Sequence, residues 1–210
     1  MGVDPGDARY GFIMLHGRGS DINDMRSVLP TLQLKDAYVL LPQAPLEIMP
    51  GRYAWYPHFW NENLEENLEH LENAFRLINS CVNDMVNKGI KQEKIVLLGH
   101  SQGANLIMEY YGFKPRPFQA VVSLRGCFLG NFGEERHFSG KKFPNTIIML
   151  NAGRRDPYIP IRKIDQTYNT LKRMGARVFK RQYETGHGIC RSELIDLRKL
   201  IARDFARPEE

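Results

Sequence analysis

Five short runs of consecutive apolar residues punctuate the chain: Tyr10 to Leu15 (YGFIML), Ala37 to Leu41 (AYVLL), Lys94 to Leu98 (KIVLL), Phe118 to Leu124 (FQAVVSL) and Thr146 to Leu150 (TIIML). They are rich in β-branched residues and lack polar alternation. Such runs predict strands covered on both faces, as strands of parallel sheets are. A sixth segment, Ala176 to Tyr183 (ARVFKRQY), alternates weakly and predicts an edge strand.

Between these runs the apolar period lengthens. From Asn61 to Lys88, apolar residues recur at Leu64, Leu68, Leu71, Phe75, Ile78, Val82 and Met85. Steps of three and four draw one stripe along a helix, and Gly89 follows where a left-handed cap is needed. Further helices are predicted over Gln102–Tyr111, Ile161–Met174 and Arg191–Phe205. Strands alternating with helices define βαβ units and a three-layer α/β domain with a mostly parallel sheet. The 210 residues fit a single domain, 1–210, without internal repeat, linker or low-complexity stretch. Gln43–Trp60 and Arg125–Phe143 read as long irregular connections, the kind that carry function in compact α/β domains.

Composition excludes several classes. The hydrophobic fraction is 42%, with eighteen glycines beside it, which is globular and neither disordered nor collagen-like. The apolar runs fall far short of the ~18 residues that span a bilayer, so no stable membrane insertion is expected. Met1 to Asp7 carries two Asp and a Pro before any apolar run, unlike a signal peptide. Gly6 stands where a myristoylation motif wants Ser or Thr. Cys81, Cys127 and Cys190 are odd in number and form no CxxC pair, which points to reduced thiols and a cytoplasmic location. The net charge of +5 is concentrated: Lys141 to Arg181 holds eleven Lys/Arg against Asp156 and Asp165. Without interleaved aromatics or a reading helix this is a solvated basic face, so no nucleic-acid partner is expected.

The chemistry enters at Gly99-His100-Ser101-Gln102-Gly103. GxSxG alone is weak. Here it follows a predicted buried strand directly and opens a predicted helix, the strand–turn–helix setting in which a serine is presented as a nucleophile. Gly99 and Gly103 clear room for that sharp turn. A nucleophilic serine needs a base, and the base an orienting acid, in the chain order Ser, acid, His. Only His137 and His187 follow Ser101. His187 lies in Glu184-Thr185-Gly186-His187-Gly188, between the last strand and last helix, whereas His137 sits among loop charges; His187 is the expected base. Asp156, in Gly153-Arg154-Arg155-Asp156-Pro157, follows the preceding strand and is the expected acid, while Asp165 and Asp196 fall on helical solvent faces. The turn His16-Gly17-Arg18-Gly19 after the first strand can offer a backbone N–H to an oxyanion beside that of Gln102. It lacks the spacing of a phosphate loop.

His16–Gly19 (HGRG), Pro42–Pro45 (PQAP), Trp55-Tyr56-Pro57, Gly99–Gly103 (GHSQG), Gly153–Pro160 (GRRDPYIP) and Gly186–Gly188 (GHG) occur in the order seen in the phospholipase/carboxylesterase family of α/β-hydrolases, which the chain resembles from about Tyr10 to Phe205. That family includes acyl-protein thioesterases, lysophospholipases and small bacterial carboxylesterases. The resemblance implies a minimal three-layer α/β-hydrolase fold without a large cap domain. It implies Ser101 as nucleophile, Asp156 as acid, His187 as base, and the amides of Arg18 and Gln102 as oxyanion hole. The expected activity is carboxylic ester hydrolysis through an acyl-enzyme, on a small acyl ester or thioester. No metal and no cofactor are required. Acyl-protein or acyl-CoA thioester hydrolysis is the alternative, amide cleavage a further one, and a non-catalytic binding module the third reading. Gly17, Trp55 and Tyr56 are expected to contact substrate, with Trp55, Tyr56 and Phe59 as acyl-pocket walls. A homodimer remains an open expectation.

Overall fold

The computed structural model describes residues 3–57, 64–113, 115–129 and 145–205. The apolar runs become β1 (Tyr10–Leu15), β2 (Ala37–Leu40), β5 (Ile95–His100), β6 (Ala120–Leu124) and β7 (Ile147–Gly153), and the weakly alternating segment becomes β8 (Arg177–Tyr183). They form one six-stranded sheet in the order β2-β1-β5-β6-β7-β8, parallel at every pairing. β1, β5, β6 and β7 are buried along their lengths, while β8, at the edge, alternates exposed and half-buried residues. Continuous apolar runs thus mark the strands with helices on both faces.

One face packs against α2 (Leu64–Asn87), α3 (Gln102–Phe113) and α4 (Ile161–Arg173), joining Ile13, Leu97, Val121 and Ile148 to Ile78, Ile107 and Ile164. The other face, with Phe12, Met14, Val96 and Val122, packs against α1 (Ile22–Leu32) and α5 (Arg191–Leu200) through Met25, Leu29, Leu194 and Leu197. The result is the predicted three-layer α/β-hydrolase architecture. The α2 stripe is buried at Leu71, Ile78, Val82 and Met85, but Leu68 is exposed. Gly89 ends α2 at φ 92°, with Ile90 N–H donating to Met85 O over 3.0 Å. Residues 61–63 of that predicted helix, Phe59 and His137 lie outside the described residues.

Three expectations change. α1 is an addition to the predicted helices: Asp21 caps it by accepting from Asn23 N–H at 2.7 Å, and its apolar residues step three, one and three apart. Pro30 in its last turn and Gln33, rather than Gly, in the left-handed cap position hide it from a reading of stop signals. Gln43–Trp60 is not an irregular connection throughout: Leu46–Met49 (β3) and Arg52–Ala54 (β4) pair as an antiparallel hairpin. The last helix ends at Leu200 and continues as one wider turn, Ile201–Phe205.

Strand order reverses between β1, which pairs outward with β2, and β5, which starts the other half of the sheet. In open α/β sheets the crevice beyond the strand C-termini at such a switch point is where ligands bind. The His16–Gly19 turn leaves β1 at this point and Ser101 leaves β5 beside it.

Candidate active site

Ser101 follows β5 with φ 53°, a left-handed conformation costly for a residue with a Cβ. The turn is held from both sides: Ser101 N–H donates to Leu124 O at 2.9 Å, and Ser101 O accepts from Asn105 N–H at 2.9 Å, starting α3. The glycines are there for space. A Cβ on Gly99 would collide with the Gly103 carbonyl, and one on Gly103 would lie 2.6 Å from the carbonyl oxygens of Leu15 and His16.

β7 and β8 deliver the partners. Their ladder continues past the strands, with Arg154 N–H donating to Tyr183 O at 2.9 Å and Arg155 N–H to Thr185 O at 3.0 Å. Asp156 is thereby set beside His187. His187 Nδ1 donates to Asp156 Oδ2 at 2.8 Å and lies 3.0 Å from Oδ1, and His187 Nε2 is 2.7 Å from Ser101 Oγ. Burial alone would raise the Asp156 pKa, its side chain being 1% exposed. The hydrogen bonds from His187 and from the Ile159 and Tyr158 amides (3.0 and 2.8 Å) outweigh burial and hold it below the ordinary carboxylate value. An ionised Asp156 only accepts, which fixes the proton on Nδ1 and leaves Nε2 to accept from the Ser101 hydroxyl.

The turn opposite is equally constrained. His16 is fully buried; its Nδ1 donates to Gly17 O at 2.8 Å, while Nε2 accepts from Ala44 N–H at 3.1 Å and pairs with Gln43 Nε2 at 2.9 Å. Burial lowers its pKa, consistent with a neutral ring serving two acceptor contacts. The β3–β4 hairpin grips the same turn: Gly19 N–H donates to Tyr53 O at 2.8 Å, Tyr53 N–H to Ser20 O at 3.0 Å, and Arg52 Nη1 to Gly19 O at 2.9 Å. Gly17 passes so close to Ser101 that a Cβ there would lie 3.3 Å from Ser101 Cβ and from His100 Nδ1. The Gln102 side chain bridges outward, accepting from Trp55 N–H at 2.8 Å and donating to Tyr56 O at 2.7 Å. Its amide is one of the first-turn donors that a helix cannot satisfy itself.

A cleft of about 400 Å³ opens over Ser101 and His187, lined also by Arg18, Ile48, Tyr56 and Tyr158 among others. Tyr158 stands edge-on to His187, with ring centroids 5.0 Å apart. Of the residues expected to contact substrate, Tyr56 lines the cleft. Gly17 lies against Ser101 instead of in the lining. Trp55 is a correction: it is wholly buried one layer behind, where its indole N–H donates to His16 O at 2.8 Å. Its work is to hold the turn. A second cavity, about 430 Å³, lies at the other end of β1, near Leu34, Lys35 and Arg198, away from this constellation. Among the described residues no group of three or more His, Cys, Asp or Glu side chains is placed to hold a metal ion.

Sequence reasoning missed His16, His100, Arg125 and Glu193. His100 Nε2 donates to His187 O at 2.9 Å, and burial pulls its pKa down to about 4. Its place inside the serine motif was a local signal. Arg125 and Glu193 form a fully buried ion pair between β6 and α5, for which no local signal exists.

The fold is that of the α/β-hydrolases. The model of the phospholipase/carboxylesterase family matches residues 6–204, and the chain belongs to that family. It is 26% identical over 216 residues to acyl-protein thioesterase 1 of Saccharomyces cerevisiae, covering 95% of this chain and 94% of the relative. A phospholipase/carboxylesterase from Dyadobacter fermentans superposes with a TM-score of 0.79 at 26% identity, over 99% of this chain and 94% of that one. Arabidopsis thaliana SOBER1 has the same fold at 21% identity, with a TM-score of 0.78 over 94% and 99% of the two chains.

Proposed function

We propose that the protein hydrolyses carboxylic esters by acyl transfer through Ser101, with His187 as base and Asp156 as its orienting acid. The observation that carries this reading is the unbroken chain of hydrogen bonds from Asp156 through His187 to Ser101 Oγ, at 2.8 and 2.7 Å, at the floor of the cleft. His187 Nε2 takes the hydroxyl proton as Ser101 Oγ bonds to the acyl carbon, and the amides of Arg18 and Gln102 donate to the carbonyl oxygen as it becomes an oxyanion. The tetrahedral intermediate collapses, and the alcohol leaves with the proton returned by His187. Water then enters, gives a proton to His187 and attacks the acyl-enzyme, and collapse restores Ser101 and frees the acid. Each step uses a group this chain supplies.

Thioester hydrolysis is the second reading. The relative from Saccharomyces cerevisiae is named an acyl-protein thioesterase, and the same steps serve a thiol leaving group. No described helix is long and apolar enough to cross a membrane, and no disulfide joins Cys81, Cys127 or Cys190; the thiols support a reducing, cytoplasmic location.

Ser101→Ala tests the reading. A folded variant is expected to lose roughly 10⁴-fold or more in kcat on p-nitrophenyl esters, as loss of a triad nucleophile does, and to resist labelling by a fluorophosphonate. Near-wild-type turnover would end the proposal. Comparing matched oxygen esters, thioesters and amides in the wild type then ranks the leaving groups.

A further inference from the structure

The peptide that carries His187 is held by its carbonyl groups. Arg125 Nε donates to Gly186 O at 3.3 Å, His100 Nε2 to His187 O at 2.9 Å, and Arg125 Nη2 to Gly188 O at 3.0 Å. Three consecutive carbonyls are thus taken by two side chains, the partly buried His100 that ends β5 and the fully buried Arg125 just after β6. The guanidinium is itself aligned by Glu193 of α5, Nη1 donating to Oε1 at 3.1 Å and Nη2 pairing with Oε2. Glu193 also accepts from Cys190 N–H at 3.4 Å, which ties the end of the same loop to the helix that follows. Both members of the pair are completely shielded from solvent.

The cost of this arrangement argues for a use beyond stability. A buried ion pair is weak evidence of stabilisation, because desolvation offsets the attraction. Arg125 additionally adopts φ 60°, where only glycine is at ease. Gly153, at the end of β7, is confined by the same cluster: a Cβ there would meet the Gly186 carbonyl and lie 3.1 Å from Arg125 Nε. Strain, a buried charge pair and a close approach converge on the three residues centred on His187.

We propose that Arg125 is a positioning residue for His187: its Glu193-aligned guanidinium, with His100, fixes the backbone from Gly186 to Gly188 so that the imidazole stands between Asp156 and Ser101. Arg125 touches neither substrate nor reacting atoms. It acts through the placement of the base, so removing its fork leaves the cleft intact and lets the imidazole wander. A misplacement of about 1 Å costs on the order of 10²-fold in rate. This inference rests on the proposed role of His187.

The test is a double-mutant cycle. Arg125→Lys keeps a cation beside Glu193 but replaces the planar five-donor fork by one ammonium that cannot serve both carbonyls and the carboxylate together. Its kcat on p-nitrophenyl acetate is expected to fall roughly 10–100-fold with KM unchanged. In a His187→Ala background the same substitution is expected to leave the residual kcat unchanged, since its effect passes only through the imidazole. If Arg125→Lys does not fold, Arg125→Gln combined with Glu193→Gln, which buries no net charge, replaces it in both arms. Wild-type kcat in the folded variant overturns the proposal, as does an equal further loss in the His187→Ala background, which would mark a general distortion of the site. Inactive His187→Ala beside fully active Arg125→Lys removes the clamp alone; full activity of His187→Ala removes the proposed base and the clamp with it.

Discussion

Arg18 separates what a backbone contributes from what a side chain contributes. In the proposed mechanism its amide faces the oxyanion, while its guanidinium lines the cleft and donates from Nη1 to Tyr56 O at 3.2 Å. Arg18→Ala keeps the amide. On a small neutral ester its kcat is expected to stay within about tenfold of wild type, against the ~10²–10³ lost when a true oxyanion donor is removed. On a matched ester bearing a carboxylate, KM is expected to rise, because the cleft loses a cation. Steady-state kinetics on the neutral and anionic pair checks both; a hundredfold fall in kcat on the neutral ester would place the side chain in the chemistry. At this scale the sequence told less about Trp55. An aromatic beside Tyr56 is legible as apolar, but which of two adjacent rings faces the cleft is set by the hairpin, and Trp55 faces inward.

At the level of elements, the β3–β4 hairpin acts as a brace for the turn that follows β1. Besides its backbone bonds to Gly19 and Ser20, the residue just past it, Trp55, satisfies the buried His16 carbonyl. Trp55→Phe keeps most of the ring volume and removes that donor. It is expected to lower stability by about 1–3 kcal/mol, the cost of an orphaned buried acceptor, and to reduce kcat by less than complete loss of an oxyanion donor would. Urea denaturation and turnover of one neutral ester measure the two; unchanged stability would mean the carbonyl finds another partner. The hairpin was not legible because its strands are only four and three residues long, and β4 is held through Arg52 and Tyr53 against Gly19 and Ser20, far upstream in the chain. The strands of the main sheet were legible for the opposite reason. β1, β5, β6 and β7 are almost wholly apolar because helices cover both faces of the sheet, and the proposed nucleophile, acid and base follow β5, β7 and β8 in chain order. α1 fell between these cases: its spacing of Met25, Val28, Leu29 and Leu32 is helical, but Pro30 and the non-glycine cap argued against it. The clamp of Arg125 on the His187 loop joins residues more than sixty positions apart, beyond the reach of any local pattern.

Across the whole molecule, two buried groups oppose each other as pH changes. His100 is held neutral, its pKa brought down to about 4 chiefly by burial, so the unfolded chain binds the extra proton and stability falls as pH drops from the ordinary 6.5 toward 4. Glu109 on α3 behaves in reverse. Burial pushes its pKa from 4.5 up to about 7, although the hydrogen bond it accepts from Leu129 N–H at 2.6 Å works against the rise. Here the folded state binds the extra proton, so stability falls as pH rises from 4.5 through 7 and the full penalty remains above it. Between about 4.5 and 6.5 the two effects cancel in part and flatten the dependence. Glu109→Gln removes one of them while keeping an oxygen that can accept from Leu129. The stability of the variant relative to wild type is therefore expected to grow with pH, by about 3 kcal/mol between pH 4 and pH 8, since each tenfold difference in proton affinity between folded and unfolded chain is worth ~1.36 kcal/mol. Denaturant titrations of both proteins at several pH values measure that change, independently of any constant cost of burying the amide. Parallel stability curves across that range would show that Glu109 is ionised at no cost in the folded chain, and that the buried α3 face is more polar than its apolar neighbours imply.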